Sequence, residues 1–327
     1  MVIFFRDKSV SAYFFLLVLC VAVHAHFFIT APQLMLVEDD GLLSLLLRRY
    51  IQPLQADFLF FIYLAVVVLQ AIRFNFVLNE ARMFQHNNTT TAMAYILLTA
   101  FIPQWCTITA ALLANTFIIW IVIKLVRLYN HPSPKTQLFN TGLIVGVSIL
   151  SYHPTAILIP VILFTLAVVR PFRLSEWMIL LSGILLPFYF LFSGLYLTDH
   201  IAELPRFIPD VHPGIHFIQP DIWLWISLAG LFVLLLFGFA YWQSYNSRMV
   251  INIRKNWSVM LVMLLAMLPL PFVFSKAGIQ SVITLLIPLS AFISCGYLYP
   301  KRTLLPNLLF LLAAAIIIHT NWVLIKN

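Results

Sequence analysis

Charged residues are scarce in this sequence: only 9% of the 327 residues are Asp, Glu, Lys or Arg, whereas 62% are hydrophobic. A typical soluble domain contains about 25% charged and about 45–50% apolar residues. With so little polar surface, the composition excludes a water-soluble globular fold. It predicts an all-α, polytopic integral membrane protein whose first partner is the lipid bilayer, because a helix satisfies its own backbone hydrogen bonds in lipid.

Cysteines and the motifs of soluble enzymes are also few or missing. Cys20, Cys106 and Cys295 lie in or beside apolar segments without a CxxC pair, so they indicate packing residues and leave the redox compartment open. The sequence has no Walker A, GxGxxG, GxSxG or HExxH pattern, which argues against ATP-driven work within this chain. Ionisable residues are almost absent from the middles of the apolar runs, which argues against an ion-coupled transporter.

The positive charges that are present follow the apolar runs. A formal net charge of +8 would suit nucleic acid if it formed a basic surface, but no such surface domain is visible, so nucleic acid is excluded as a partner. Alternating the runs across a membrane from a cytoplasmic N-terminus places fourteen of the 19 Lys and Arg residues inside. The positive-inside rule therefore favours a cytoplasmic N-terminus and a multi-pass protein of the bacterial inner (plasma) membrane.

Eleven apolar segments are candidate membrane spans. Segments 91–104 and 139–152 are near 14 residues, too short to cross a bilayer core that needs about 20. The sequence therefore predicts about nine to eleven transmembrane helices in a single transmembrane domain of residues 1–327. The segments are 10–31, 56–74, 91–104, 107–127, 139–152, 154–170, 176–197, 222–243, 256–274, 278–298 and 303–324.

One stretch, "VEDDGLLSLLLRRYIQPLQ" at residues 37–55, gathers five charges in an apolar chain. Gly41 offers a turn, and residues 41–52 predict a short helix that lies in the membrane interface. On that helix the polar residues recur every four positions and share one face; they are Asp40, Ser44, Arg48 and Gln52. The simpler interpretation is the polar edge of an interfacial helix. The alternative is a substrate site.

As a substrate site, this stretch suits a lipid-linked phosphate. Arg48 and Arg49 are predicted to bind the phosphate, because a guanidinium holds phosphate in a bidentate fork. Asp40, with Asp39, is the candidate general base for an acceptor hydroxyl. The same carboxylates could instead hold a divalent cation, which is the one cofactor that the sequence suggests.

The outer loop at residues 198–221 is the longest polar connection and holds four acids, three histidines and one arginine. Arg206 is a candidate contact for the lipid phosphate, while an ordered polar loop is the alternative. A metal site at His212-x-x-x-His216 would need a helix, and the proline and glycine that follow His212 argue against one.

Two further residues are candidates at the same membrane face. His153 caps a tight outer hairpin, where it is either structural or placed beside the substrate. Lys276 lies at the outer end of a span, where it either snorkels to the interface or neutralises phosphate.

Two central stretches carry a family resemblance: "LFNTGLIVGVSILSYHPTAILIPVILFTLAVVRPFRLSEW" at 138–177 and "ALLANTFIIWIVIKLVRLY" at 111–129. They resemble an uncharacterised bacterial family of polytopic inner-membrane proteins. With the acidic first outer loop and the interfacial helix, the layout of about the first 200 residues also resembles the GT-C superfamily of membrane glycosyltransferases. That resemblance implies Asp40 or Asp39 as catalytic base or metal ligand. The large C-terminal outer domain of that superfamily is missing.

The leading hypothesis is therefore a GT-C-type glycosyltransferase that acts at the outer face on a polyprenyl-phosphate-linked sugar. Whether the chain is an enzyme is left open at this point. The alternatives are a non-enzymatic subunit or scaffold of an envelope-assembly complex, with other membrane proteins as partners, and a lipid or solute transporter.

Overall fold

The computed structural model describes residues 2–37, 40–129, 131–214 and 222–323. Within these ranges the chain forms helices and connecting segments without a β-strand, which confirms the predicted all-α class. The α-helices are α1 (Val10–Val23), α2 (Leu42–Leu46), α3 (Ala56–Glu80), α4 (Thr90–Thr99), α5 (Ala110–Val126), α6 (Pro134–Ser151), α7 (Leu158–Val169), α8 (Leu174–Leu197), α9 (Ile222–Asn246), α10 (Ile251–Met267), α11 (Leu270–Val273), α12 (Leu286–Leu298) and α13 (Leu304–Ile318).

Each of the eleven apolar segments contains a helix, but fewer are membrane-length than expected. In the described part of the chain, six helical segments are long and apolar enough to cross a membrane, compared with the predicted nine to eleven. Several of the apolar runs overestimate helix length because they include non-helical residues, such as the three residues that precede α5. The six segments are Ala56–Glu80, Leu174–Leu197, Ile222–Asn246, Ile251–Val273, Ile279–Leu298 and Leu304–Trp322.

The shortest of the apolar helices is enclosed by protein. All ten residues of α4 are buried, and the helix packs against α1, α3, α12 and α13. Its first turn is held by a side chain, because the Asn88 Oδ1 accepts hydrogen bonds from both the backbone N and the hydroxyl of Thr90. A helix can end at depth when its free backbone groups meet protein rather than lipid, so α4 does not need the length of a span.

Helices α6 and α8 pack through glycines at backbone contact distance. A Cβ on Gly142 would lie 2.3 Å from the Leu180 carbonyl oxygen, and one on Gly183 would lie 2.5 Å from the Phe139 carbonyl oxygen. Gly146 makes the same approach one turn further along α6. The spacing of Gly142 and Gly146 is the GxxxG pattern, which lets helix backbones approach closely in a membrane.

The polar groups in the middle of the bundle are uncharged and joined to one another. The Tyr95 hydroxyl donates to the Gln70 Oε1 at 2.8 Å and accepts from the Asn115 Nδ2 at 3.1 Å. Gln70 also donates to the Leu112 carbonyl at 2.8 Å. All three polar side chains are buried, so this network links α3, α4 and α5 by hydrogen bonds without placing a charge at depth.

Candidate functional site

The site region begins where α2 meets the end of α6. Gly41 has a φ of 118°, and a Cβ there would lie 2.7 Å from the Ser151 carbonyl oxygen. Only glycine fits this conformation and this close approach. The backbone N–H of His153 donates to the Asp40 carbonyl oxygen at 3.0 Å. These contacts hold Asp40 and the start of α2 against the hairpin that follows α6.

The predicted helix at 41–52 is present, as α2 followed by a π turn at Leu47–Ile51. The Asp40 side chain is half-buried next to it. Burial raises the pKa of the Tyr152 phenol well above its usual value, and the negative charge of Asp40 raises this pKa further. Tyr152 therefore stays neutral beside the carboxylate.

A cavity of about 170 Å³ opens between α2 and the short helical segment Ile201–Phe207. We call it the α2 cavity. Arg48 and Arg206, which are far apart in sequence, both line it, together with the hydroxyl-bearing Ser44. The remaining lining residues are Leu36, Val37, Gly41, Leu45 and Phe207. Sites for drug-sized ligands measure about 300–1,000 Å³, so this volume suits an anionic headgroup rather than a whole lipid.

Two of the predicted phosphate contacts do not line the α2 cavity. Arg49 faces a different direction from Arg48, because consecutive helix residues are rotated about the helix axis. Its guanidinium lies over the Tyr50 ring, 5.6 Å from the centroid. The Lys276 Nζ instead bonds the Asp210 Oδ2 at 3.1 Å. The other oxygen of that carboxylate lies 2.9 Å from the His212 Nδ1. Lys276 thus belongs to a separate charged cluster on the loop after Phe207.

Of the remaining predicted residues, one lies next to Asp40 and two lie outside the described residues. His153 is buried, at 4% exposed, directly beside Asp40 in space. Asp39 and His216 lie outside the described residues. Among the residues that the structure does describe, no group of three or more His, Cys, Asp or Glu side chains is placed to hold a metal ion.

A family model for a family of unknown function (DUF6427) matches residues 36–325. The chain belongs to DUF6427. The matched region includes every residue that lines the α2 cavity, and it also includes Asp40 and His153. No curated protein and no solved structure matches the chain. The predicted membership of an uncharacterised family is therefore confirmed, while the resemblance to GT-C glycosyltransferases stays a prediction.

This DUF6427 chain also has an apolar pocket that the sequence did not indicate. It measures about 300 Å³ and is lined by residues such as Leu224, Trp225 and Leu228 of α9, together with Pro271 and Gly214. The backbone of Gly214 reaches it by donating to the Phe272 carbonyl at 3.0 Å. No local motif marks this pocket, because its walls come from well-separated segments.

Proposed function

We propose that this DUF6427 protein is a multi-pass membrane glycosyltransferase that takes its sugar from a polyprenyl phosphate at the membrane face where α2 lies. One observation carries the proposal: Arg48 and Arg206 both line a cavity of about 170 Å³, which is also lined by Gly41, the residue that follows Asp40. The distribution of basic residues supports the bacterial inner membrane as the location, with α2 at the outer face.

Exposed apolar surface supports the membrane location. Only 22% of the apolar stretch of α8 is buried, and the same fraction of α9. Their exposed side chains include large aromatic residues, such as Phe190 at 65% and Phe232 at 59%. Soluble proteins rarely leave such continuous apolar faces in water, so lipid is the solvent that these two helices suit.

The charge of the α2 cavity supports a phosphate ligand. Arg48 and Arg206 are both exposed, so each alone would bind an anion weakly in water. Two guanidinium groups on one small cavity can hold one phosphate through paired N–H donors, which are stronger when the acceptor is ionised. The apolar pocket beside α9 would suit part of a lipid chain.

In the proposed reaction, the oxygen of an acceptor hydroxyl attacks the anomeric carbon of the lipid-linked sugar. The bond between that carbon and the phosphate oxygen breaks, and polyprenyl phosphate leaves with the electron pair. Arg48 and Arg206 stabilise the negative charge on the leaving phosphate. Asp40 takes the proton of the acceptor hydroxyl as general base.

Mass spectrometry of lipid-linked sugars tests this proposal in cells. The comparison uses a deletion strain that carries the wild type, Asp40→Asn, Arg48→Gln or Arg49→Gln, with equal protein in the membrane fraction. A polyprenyl-linked sugar should accumulate in the deletion, in Asp40→Asn and in Arg48→Gln. The control Arg49→Gln should match the wild type, because Arg49 does not line the cavity. Identical lipid pools in all strains would rule out the transferase.

The second candidate is a non-enzymatic subunit or scaffold of an envelope-assembly complex. The small size of the α2 cavity favours it, because about 170 Å³ leaves little room for donor and acceptor together. A scaffold would tolerate Asp40→Asn without any change in lipid-linked sugars and would co-purify with defined membrane partners. A lipid or solute transporter would instead show flux in sealed vesicles without chemical change to its cargo.

A further inference from the structure

A second, larger cleft lies at the opposite end of α3 from the α2 cavity. Helix α3 has 25 residues, which makes it about 37 Å long, and it begins shortly after α2. The cleft at its far end measures about 620 Å³. We call it the far cleft. Its walls come from the end of α3, the chain after α5 and the start of α10, and its polar lining residues include Glu80, Arg82, Arg127, His131, Asn252 and Asn256.

The charge of the far cleft is positive. The Arg127 Nη2 lies 2.6 Å from the Glu80 Oε1, so these two side chains neutralise each other. Glu80 is the one carboxylate among the described lining residues. Arg82 remains as a positive charge, and an adjoining cavity of about 140 Å³ shares Arg82 and adds Arg248.

A buried amide without a partner faces this positive cleft. Asn256 is 2% exposed and lines the cleft, yet its side chain makes no hydrogen bond to any described residue. Because Asn256 lines the cleft, a ligand bound there can reach its amide. It lies in the second turn of α10, whose N-cap residue, Val250, provides no side-chain cap for the first-turn N–H groups. Those N–H groups and the helix dipole favour an anion.

The backbone of Arg82 is strained in a way that places its side chain at the cleft. Its φ is 52°, in the left-handed region that glycine or asparagine usually occupies after a helix. The Met83 N–H donates to the Leu78 carbonyl at 3.0 Å, which closes the turn at the end of α3. Arg82 therefore occupies a backbone conformation in which glycine or asparagine would have a lower conformational energy.

We propose that the far cleft binds a phosphate-bearing anion, held by Arg82 and by the Asn256 amide, which donates to it, with Arg248 in the adjoining cavity adding positive charge. This site is separate from the α2 cavity and does not rest on the proposed transfer reaction. Two sources share the required chemistry: the headgroup of an anionic membrane lipid and a soluble phosphate compound.

Thermal unfolding of the purified full-length protein in neutral detergent tests this site. The soluble probe is inorganic pyrophosphate, compared with sodium chloride at equal ionic strength. The lipid probe is phosphatidylglycerol added to the micelles, compared with phosphatidylcholine. A ligand that binds the folded state raises the melting temperature, and the stabilisation grows with the logarithm of one plus the ratio of the ligand concentration to Kd, so each titration gives an apparent Kd. A response to pyrophosphate identifies a soluble ligand, and a response to phosphatidylglycerol alone identifies a lipid headgroup.

Three variants make the test specific. Arg82→Asn keeps a residue that tolerates the left-handed conformation and removes the charge, so it should fold as well as the wild type but bind the probe about tenfold more weakly. Asn256→Leu should weaken binding similarly. The control Arg302→Gln removes an exposed charge that does not line the cleft and should bind like the wild type. The proposal is overturned if neither probe stabilises the wild type, or if Arg82→Asn responds as the wild type does.

Discussion

The segment Ile279–Leu298 and helix α8 are similarly apolar, yet they occupy opposite environments. The first is 94% buried, whereas α8 is 22% buried. The interior segment contacts α9, α4, α10 and α13 on all sides, while α8 is joined chiefly to α6. Apolar character alone therefore does not tell which helix meets protein and which meets lipid. The difference lies in how many neighbouring helices surround each segment.

The largest difference in stability is expected between substitutions of a tightly packed glycine and of a glycine with open space around it. A Cβ on Gly238 of α9 would lie 2.3 Å from the Phe292 backbone oxygen of α12, whereas one on Gly194 of α8 would meet nothing within 4 Å. Gly238→Leu should destabilise the fold by about 3 kcal/mol or more through overpacking. Gly194→Leu should be close to neutral. Membrane accumulation and melting temperature in detergent measure both, and equal losses would contradict the packing of α9 on α12.

Ion pairs offer a second comparison between buried and exposed positions. Glu176 is 2% exposed in its side chain and binds Arg170 through two bonds, at 3.0 and 3.2 Å. Glu176→Gln should cost about 3 kcal/mol, because it leaves a half-buried arginine without its counter-charge.

The matched control is the exposed pair of Glu80 and Arg127. Glu80→Gln should cost less than about 1 kcal/mol. Melting temperatures of the two variants at low salt give the comparison. If both pairs cost the same, the burial of Glu176 at the start of α8 is wrong.

Removing one hydroxyl from the uncharged network in the bundle should lower the stability by less than the glycine substitution. Tyr95→Phe removes the hydroxyl that joins Gln70 to Asn115, and it should cost about 1–3 kcal/mol because two buried amides each lose a partner. Tyr196→Phe in α8 alters a side chain that is 64% exposed and should cost less than about 0.5 kcal/mol. Equal melting temperatures for the two variants would show that the network contributes nothing.

Much of this fold follows from the sequence, because apolar runs of about 20 residues have few alternatives to helix. The start of α2 at Gly41 and the depth of Asn115 were both predictable from single residues. The number of membrane-length helices was not, because a helix such as α4 can be short once other helices enclose it. The motif Gly142-x-x-x-Gly146 indicates that α6 packs closely on another helix. The sequence does not indicate that this other helix is α8.

The candidate site was predictable only in part, for a physical reason. Asp40 and Arg48 are close in sequence, so helix geometry relates them directly. Arg206 reaches the same cavity through tertiary packing of a distant loop, which no periodicity encodes. Arg49 does not line this cavity, because consecutive residues on a helix face different directions, so its predicted phosphate contact stays a prediction. The far cleft depends on a left-handed φ at Arg82, which a sequence does not display.

The central claim is that Arg48 and Arg206 form one phosphate site in the α2 cavity. Native mass spectrometry of the protein extracted from membranes, with polyprenyl phosphate added, measures this most directly. We expect the wild type and Arg49→Gln to retain bound polyprenyl phosphate, while Arg48→Gln and Arg206→Gln each bind it about tenfold more weakly. Equal binding by all four proteins, or loss in Arg49→Gln alone, would contradict it.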